Sequence, residues 1–300
     1  MSETISALGE AAARAARRVL LAGVAGALLL VSAALPEAGL AETAPEAGWR
    51  ILEPGLELGV FPAPVPSSVG DSRIRVLRID PGRFDLRLMN ASAPGQGKPC
   101  TAREWCRRND LVAAINASMY HPDFRTSVSL MRTRGHVNNP NLSRDNAVLA
   151  FDADCDSLPP VQIIDRRCQG FDALRQRYAT LVQSIRMVSC QGRNVWSPQP
   201  RKWSTAAIGV DESGRLLFIH ARSPYTTHDF IDILLQLPID LYNAMYVEGG
   251  PEAQLFVRSG DDEHEFVGSF ETGFLQHDDN RVAWPVPNVV AIVRREAPPE

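Results

Sequence analysis

Several common signals are missing from this chain, and each absence narrows its function. Lysine and arginine total 31 against 35 acidic residues, for a net charge of −4. The basic surplus that drives non-specific nucleic-acid binding is therefore missing, and nucleic acid is excluded as an expected partner. No Cys-x-x-Cys or His-x-x-x-His pair occurs, which removes the familiar zinc clusters. There is no nucleophile elbow, P-loop, dinucleotide fingerprint or kinase motif, so no organic cofactor is implied. Internal repeats, heptads and long low-complexity tracts are also absent. The apolar run Val19 to Ala34 covers about 16 residues, short of the roughly 20 that span a bilayer as a helix.

That run reads instead as the core of a secretory signal. Arg14, Arg17 and Arg18 precede it, and Pro36 and Gly39-Leu40-Ala41 supply the small residues of a cleavage site. Residues 1–41 are assigned to a signal peptide, 42–68 to a linker rich in Pro, Ala and Glu, and 69–297 to the folded domain. The expected location is periplasmic or secreted, with membrane attachment only if the signal stays uncleaved. All five cysteines (Cys100, Cys106, Cys155, Cys168 and Cys190) lie in the exported part. Structural disulfides are expected there, and five cysteines allow fifteen ways of making two bridges.

Within the domain, Arg73–Ile79 and Arg83–Leu88 alternate charge and bulk around Asp80-Pro81-Gly82, a hairpin pattern. Thr101-Ala102-Arg103-Glu104 is a capping box that opens a short helix through Arg108. Leu111 to Ile115 predicts a buried strand delivering Asn116. Further strands are predicted over 146–151, 206–210, 215–220, 254–257 and 288–293. Thr226 or Thr227 caps a helix whose apolar residues share one face, and Pro238 ends it. The fold expected is α+β, a single domain on a large mixed β-sheet with a few short helices.

The most informative segment is Tyr246-Val247-Glu248-Gly249-Gly250-Pro251-Glu252. A carboxylate leaves a hydrophobic strand at a diglycine bend, where missing Cβ atoms let a ligand approach. That placement suits proton transfer, nucleophilic attack or metal ligation. Other polar groups end predicted strands: Asn116, Ser118 and Tyr120; Arg132 with His136; Gln183 to Arg186; and Arg222 ahead of the helix bearing His228. Arginine suits bidentate phosphate recognition, and this inventory fits carbohydrate or phosphodiester chemistry better than redox chemistry.

In this order the motifs resemble the phosphodiester glycosidase family. The resemblance rests on Asn116-Ala117-Ser118-Met119-Tyr120, Ser129 to Val137, Gln183-Ser184-Ile185-Arg186, Ala207-Ile208-Gly209 and Glu248-Gly249-Gly250, and covers roughly residues 74–293. Glu248 stands where the family has Asp, Pro251 where it has a third glycine, and Thr205 where many members have Arg. The resemblance implies an exported hydrolase that cleaves the glycosidic bond of a sugar-1-phosphodiester in envelope glycan or polysaccharide. Glu248 and Asn116 are then the catalytic candidates. Arg132, Arg186, Arg222, Ser118, Tyr120, Gly249, Gly250 and His228 are the substrate-binding candidates, and Asp123, Asp145, Asp229 and Glu252 the possible second acids. Two other functions stay open: a non-catalytic envelope glycan-binding protein on the same fold, and a metal-dependent phosphodiesterase. A divalent metal is left undecided.

Overall fold

The computed structural model describes residues 48–296, so the expected signal peptide lies outside the described residues. In chain order the first strands are β1 (Gly48–Glu53), β2 (Leu56–Pro62), β3 (Arg73–Ile79), β4 (Phe84–Asn90), β5 (Ala113–Asn116), β6 (Met131–Arg132), β7 (Val137–Asn139) and β8 (Ala147–Ala153). They continue as β9 (Val161–Asp165), β10 (Tyr178–Val188), β11 (Trp203–Asp211), β12 (Leu216–Tyr225), β13 (Leu241–Gly249), β14 (Gln254–Ser259), β15 (Asp262–Val267) and β16 (Asn288–Arg294). Three short helices accompany them: α1 (Ala102–Asn109), α2 (Phe171–Leu174) and α3 (Thr227–Leu234).

The strands form two sheets, one of eleven strands and one of five. The large sheet runs β1-β2-β3-β12-β11-β13-β10-β6-β7, with β8 also on β10 and β9 on β8, and the small one runs β15-β14-β5-β16-β4. Every strand pairing among the described residues is antiparallel. The expectation of one mixed sheet is thereby corrected to two antiparallel sheets in a mostly β domain. The strand-helix-strand unit β12-α3-β13 is real, but β11 lies between its two strands.

The core explains the layering. Leu77, Ile208, Phe218, Met245 and Val247 from the large sheet meet Leu86, Ile115, Leu255 and Val290 from the small one in one cluster. The opposite face of the large sheet carries Val76, Ala207, Ile219 and Tyr246, covered by Phe230, Ile231 and Leu234 of α3. The outer face of the small sheet packs Ala114, Phe256 and Val289 against Trp105 and Cys106 of α1. Central strands buried on both faces read as continuous apolar runs rather than alternations, as Ala113–Ile115 and Ala206–Val210 do.

Local expectations hold where the signal is local. The capping box forms, with Thr101 accepting from Glu104 N and the Glu104 carboxylate from Thr101 N. Thr226 caps α3. Two assignments fail. Gly48–Pro62, assigned to linker by composition, forms β1 and β2, whose Leu56 and Leu58 enter the core. The expected hairpin of β3 and β4 is instead an arch, because β3 pairs with β2 and β12 while β4 pairs with β16. Ile79, Phe84 and Leu86 turn inward from opposite sheets and fill the space between them. Of the cysteines, Cys168 and Cys190 are bridged, while Cys100, Cys106 and Cys155 are free thiols. Among the described residues no helix is long and apolar enough to cross a membrane.

Candidate active site

β13 crosses the large sheet between β11 and β10. Its register against β11 slips at the end, with Ala207 opposite Tyr246 but Ala206 opposite Glu248. Val247 is thus the extra residue of a bulge, a device that bends the strand and re-aims the next side chain. Here the residue re-aimed is Glu248. Gly249 N donates to Glu248 Oε1 at 3.0 Å. Gly250 then adopts a left-handed φ of 67°, a conformation suited to glycine, and a 3-10 turn carries the chain through Pro251 to Glu252. Asn116 holds this turn from the small sheet. Its Nδ2 donates to Glu252 O at 3.0 Å and its Oδ1 accepts from Gln254 N at 2.8 Å.

Glu248 opens into a cleft of about 630 Å³, a size usual for ligand sites. Tyr120, Phe124, Trp196, Trp203 and Tyr246 give it aromatic walls, and Glu252 and Glu271 join Glu248 as its acids. Arg201 and His121 complete the charged or titratable lining. Burial pushes the Glu248 carboxyl up to about 8; the charges of Glu252 and Glu271 act in the same direction, and the Gly249 N–H opposes them. Burial likewise raises Glu252, with Glu271 adding to it. The hydroxyls of Tyr120 and Tyr246 are held above the usual tyrosine range, first by burial and then by the Glu248 charge. Glu248 therefore carries its proton at neutral pH. At the mouth, Phe124 is 56% exposed in a left-handed conformation (φ 54°), strained for a bulky residue. The Asp123 carboxylate fixes the loop by accepting from Arg125 N, Thr126 N and the Thr126 hydroxyl.

Four of the expected site residues line this cleft: Glu248, Tyr120, Gly249 and Gly250. Asn116 lies directly beneath, holding backbone rather than facing the cavity. Ser118 is buried and donates to Gln183 O at 3.2 Å. The three arginines expected to hold phosphate are all committed elsewhere. Arg132 donates to the carbonyls of Arg175 (2.7 Å) and Tyr178 (3.2 Å). Arg186 grips both oxygens of buried Asp165, at 2.9 and 2.8 Å. Arg222 pairs with the Asp278 carboxylate at 2.6 Å and ties down the carbonyls of Val267, Asp278 and Asn280. His228 sits on α3 beside Asp229 and Asp232, outside the cleft lining. None of the four lines the cleft: the arginine donors are taken up by the nearest carbonyls and carboxylates of the fold, and His228 lies beside two partly exposed carboxylates.

Among the possible second acids, Glu252 lines the cleft, while Asp145 accepts from Ser129 and Ser143 in a separate polar network. Asp123 serves its loop, and Asp229 lies on α3. Arg201, Glu271, Trp196, Trp203 and Phe124 were not singled out by the sequence. The available signal was Trp196 and Trp203 within eight residues, in a chain with five tryptophans. Among the described residues, the group whose potential metal-ligating atoms lie within 4.8 Å of one another is Asp165, Cys168 and Cys190. Its cysteines are bonded to each other, and the three glutamates of the cleft are not gathered in this way.

Comparison with known proteins identifies the family and the fold. The model of the phosphodiester glycosidase family matches residues 109–293. Among solved structures, the chain is similar to the zebrafish N-acetylglucosamine-1-phosphodiester alpha-N-acetylglucosaminidase catalytic domain, auto-inhibited by its pro-peptide. The TM-score is 0.59 at 13% identity, over 83% of this chain and 87% of that one. A hypothetical protein from Synechocystis matches with a TM-score of 0.55 at 13% identity, over 84% of this chain and 64% of that one. At this identity both likenesses concern the fold. No match was found among curated proteins.

Proposed function

The chain belongs to the phosphodiester glycosidase family, and from that premise we propose that it hydrolyses the glycosidic C–O bond of a sugar-1-phosphodiester, with Glu248 as the proton-bearing group. The observation that carries this reading is Glu248 itself, half-buried at a bulged strand end, its pKa raised to about 8, in an aromatic-walled cleft. A phosphodiester is already a good leaving group, so the departing oxygen needs only partial protonation or a strong hydrogen bond from Glu248. The bond from C1 to the bridging oxygen breaks with its electrons going to phosphate. Water supplies the new hydroxyl at C1, and its proton passes to a carboxylate, for which Glu252 is the nearest candidate by position in the chain. The products are a free sugar and a phosphomonoester. Aromatic faces suit the apolar faces of sugar rings, and buried hydroxyls and amides around them fix orientation. The N-terminal pattern of arginines, apolar run and small residues supports action outside the cytoplasm.

The test is sugar release from a panel of sugar-1-phosphodiesters by wild type and Glu248→Gln, with and without chelator. A fall of about 10²–10⁴-fold in the variant is expected. Wild-type activity should also decline as pH rises through about 8, where Glu248 loses its proton; activity that instead rises through that pH assigns Glu248 as a base. Label from isotopic water appearing in phosphate rather than sugar would move the reading to a phosphodiesterase. A second reading, glycan binding without turnover, is favoured by the internal commitment of Arg132, Arg186 and Arg222. It predicts sugar binding by a folded protein that releases nothing from any diester.

A further inference from the structure

The start of β11 and the residues just before it carry donors that the acid chemistry of the cleft does not use. This strand start is stapled to the segment following β15. Lys202 N donates to Thr272 Oγ1 at 2.9 Å, Thr272 N returns a bond to Lys202 O at 3.0 Å, and Ser204 Oγ accepts from Ser269 N and Phe270 N. The staple sets Arg201 beside Glu271, with Nη2 to Oε1 at 3.5 Å. That is long for a charge-assisted bond, and the Arg201 side chain is 59% exposed, so its remaining N–H groups face open space. Its guanidinium carbon lies 5.8 Å from the Trp203 ring centre. Arg201 is also the one lysine or arginine in the cleft lining.

Trp203 adds a second donor. Its Nε1 is buried with no hydrogen-bond partner, a costly state for an N–H. The adjacent Cδ1 would lie 2.8 Å and Cγ 3.3 Å from a Cβ placed on Gly249, so the five-membered ring that carries the N–H packs at the turn directly after Glu248. A guanidinium and an orphaned N–H thus approach the same turn from one strand end. Neither has a strong acceptor in the protein.

We propose that Arg201 and Trp203 form the anion clamp of the cleft, donating to the non-bridging oxygens of a sugar phosphate while Glu271 gives up Arg201 to it. The substrate class rests on the hydrolase reading; the donor arrangement does not. Glu271 is then a competitor for Arg201, and its removal has the opposite sign to removal of the donors.

The experiment is calorimetric titration of the full chain with N-acetylglucosamine 1-phosphate and glucose 1-phosphate. The corresponding methyl glycosides serve as neutral controls, and diester turnover is measured in parallel. Arg201→Ala and Trp203→Phe, which keeps an aromatic ring but loses the N–H, should each weaken phosphosugar binding about tenfold or more. Each should weaken phosphosugar binding by a larger factor than binding of the neutral glycoside, whose retained binding also reports that the cleft is folded. Glu271→Gln should tighten phosphosugar binding several-fold. Arg201→Lys should recover part of the loss, because it restores the charge without the planar fork. Unchanged phosphosugar affinity in Arg201→Ala and Trp203→Phe overturns the clamp, even if wild type hydrolyses diesters. Failure of wild type to bind either phosphosugar overturns it as well. Phosphosugar binding that depends on Arg201 without any diester turnover keeps the clamp and removes the hydrolase reading instead.

Discussion

Gly249 shows how tightly one residue can be specified by its neighbours. Its backbone is extended, so conformation alone would admit any side chain. Space does not, because a Cβ there would lie 2.2 Å from the Tyr246 hydroxyl. Tyr246 is buried against the α3 layer, so its ring is held by packing. Gly249→Ala is therefore expected to cost about 1–3 kcal/mol through overpacking and to lower sugar release by displacing Glu248. Urea unfolding and turnover measure the two effects. Adding Tyr246→Phe, which removes the clashing oxygen, should restore part of both; no rescue in the double variant would place the fault elsewhere.

Among the elements, the turn between β13 and β14 depends on a side chain from another sheet. Asn116 satisfies Glu252 O and Gln254 N together, and neither has another strand to turn to at that point. Asn116→Ala leaves Gln254 N without its acceptor and Glu252 O with only the 3.3 Å bond from Gln254 Nε2, a loss of about 1–3 kcal/mol. It should also reduce turnover while leaving the far end of the domain protected in hydrogen exchange. The placement of Asn116 at the end of β5 was readable from the sequence, as were that of Glu248 near the end of β13, the diglycine bend, α1 and α3, because each is signalled by its immediate neighbours; the hold of Asn116 on the turn, made from another sheet, was not. The roles of Arg132, Arg186 and Arg222 were not, since their acceptors lie 21 to 58 residues away in sequence. The arch of β3 and β4 was hidden for a similar reason: alternation tells which face of a strand is buried but not which strand lies beside it. Glu271 and Arg201 carry no motif, and only the staple between Lys202 and Thr272 brings them to the cleft. The composition of 42–68 concealed β1 and β2 because proline, alanine and glutamate around them outweigh two short apolar stretches.

Across the whole molecule, two titratable groups, His220 and Glu248, pull stability in opposite directions with pH. His220 is fully buried between the sheets, and burial pushes its pKa down to about 3 from 6.5. The unfolded chain takes up a proton at this position below about pH 6.5 while the folded one refuses it, so stability is lost as pH falls from there to about 3. Glu248 is raised from 4.5 to about 8. The unfolded carboxyl ionises first, so its contribution is lost as pH rises from about 4.5 to about 8. Relative to wild type, Glu248→Gln should gain stability steadily over that upper window and nothing below it. His220→Gln should flatten the acid side. Denaturation midpoints measured from pH 4 to 9 test both; parallel curves for all three proteins would contradict the assignment. The gain expected from Glu248→Gln coincides with lost turnover, the usual exchange between a strained site and a stable fold.

The position of β16 has a consequence for how the chain reaches its final form. It is the last strand in sequence among the described residues, yet it lies inside the small sheet, paired with β4 on one side and β5 on the other. Arg294 at its end also locks onto Glu53 of the first strand, at 2.8 Å through two nitrogens. While synthesis is under way, β4 and β5 have no shared partner, and the apolar layer beneath them has no lid. Closure must wait until residues 288–294 have been made, so a nick near residue 285 or a truncation ahead of residue 288 should leave a chain that collapses without locking and is cleared by proteases.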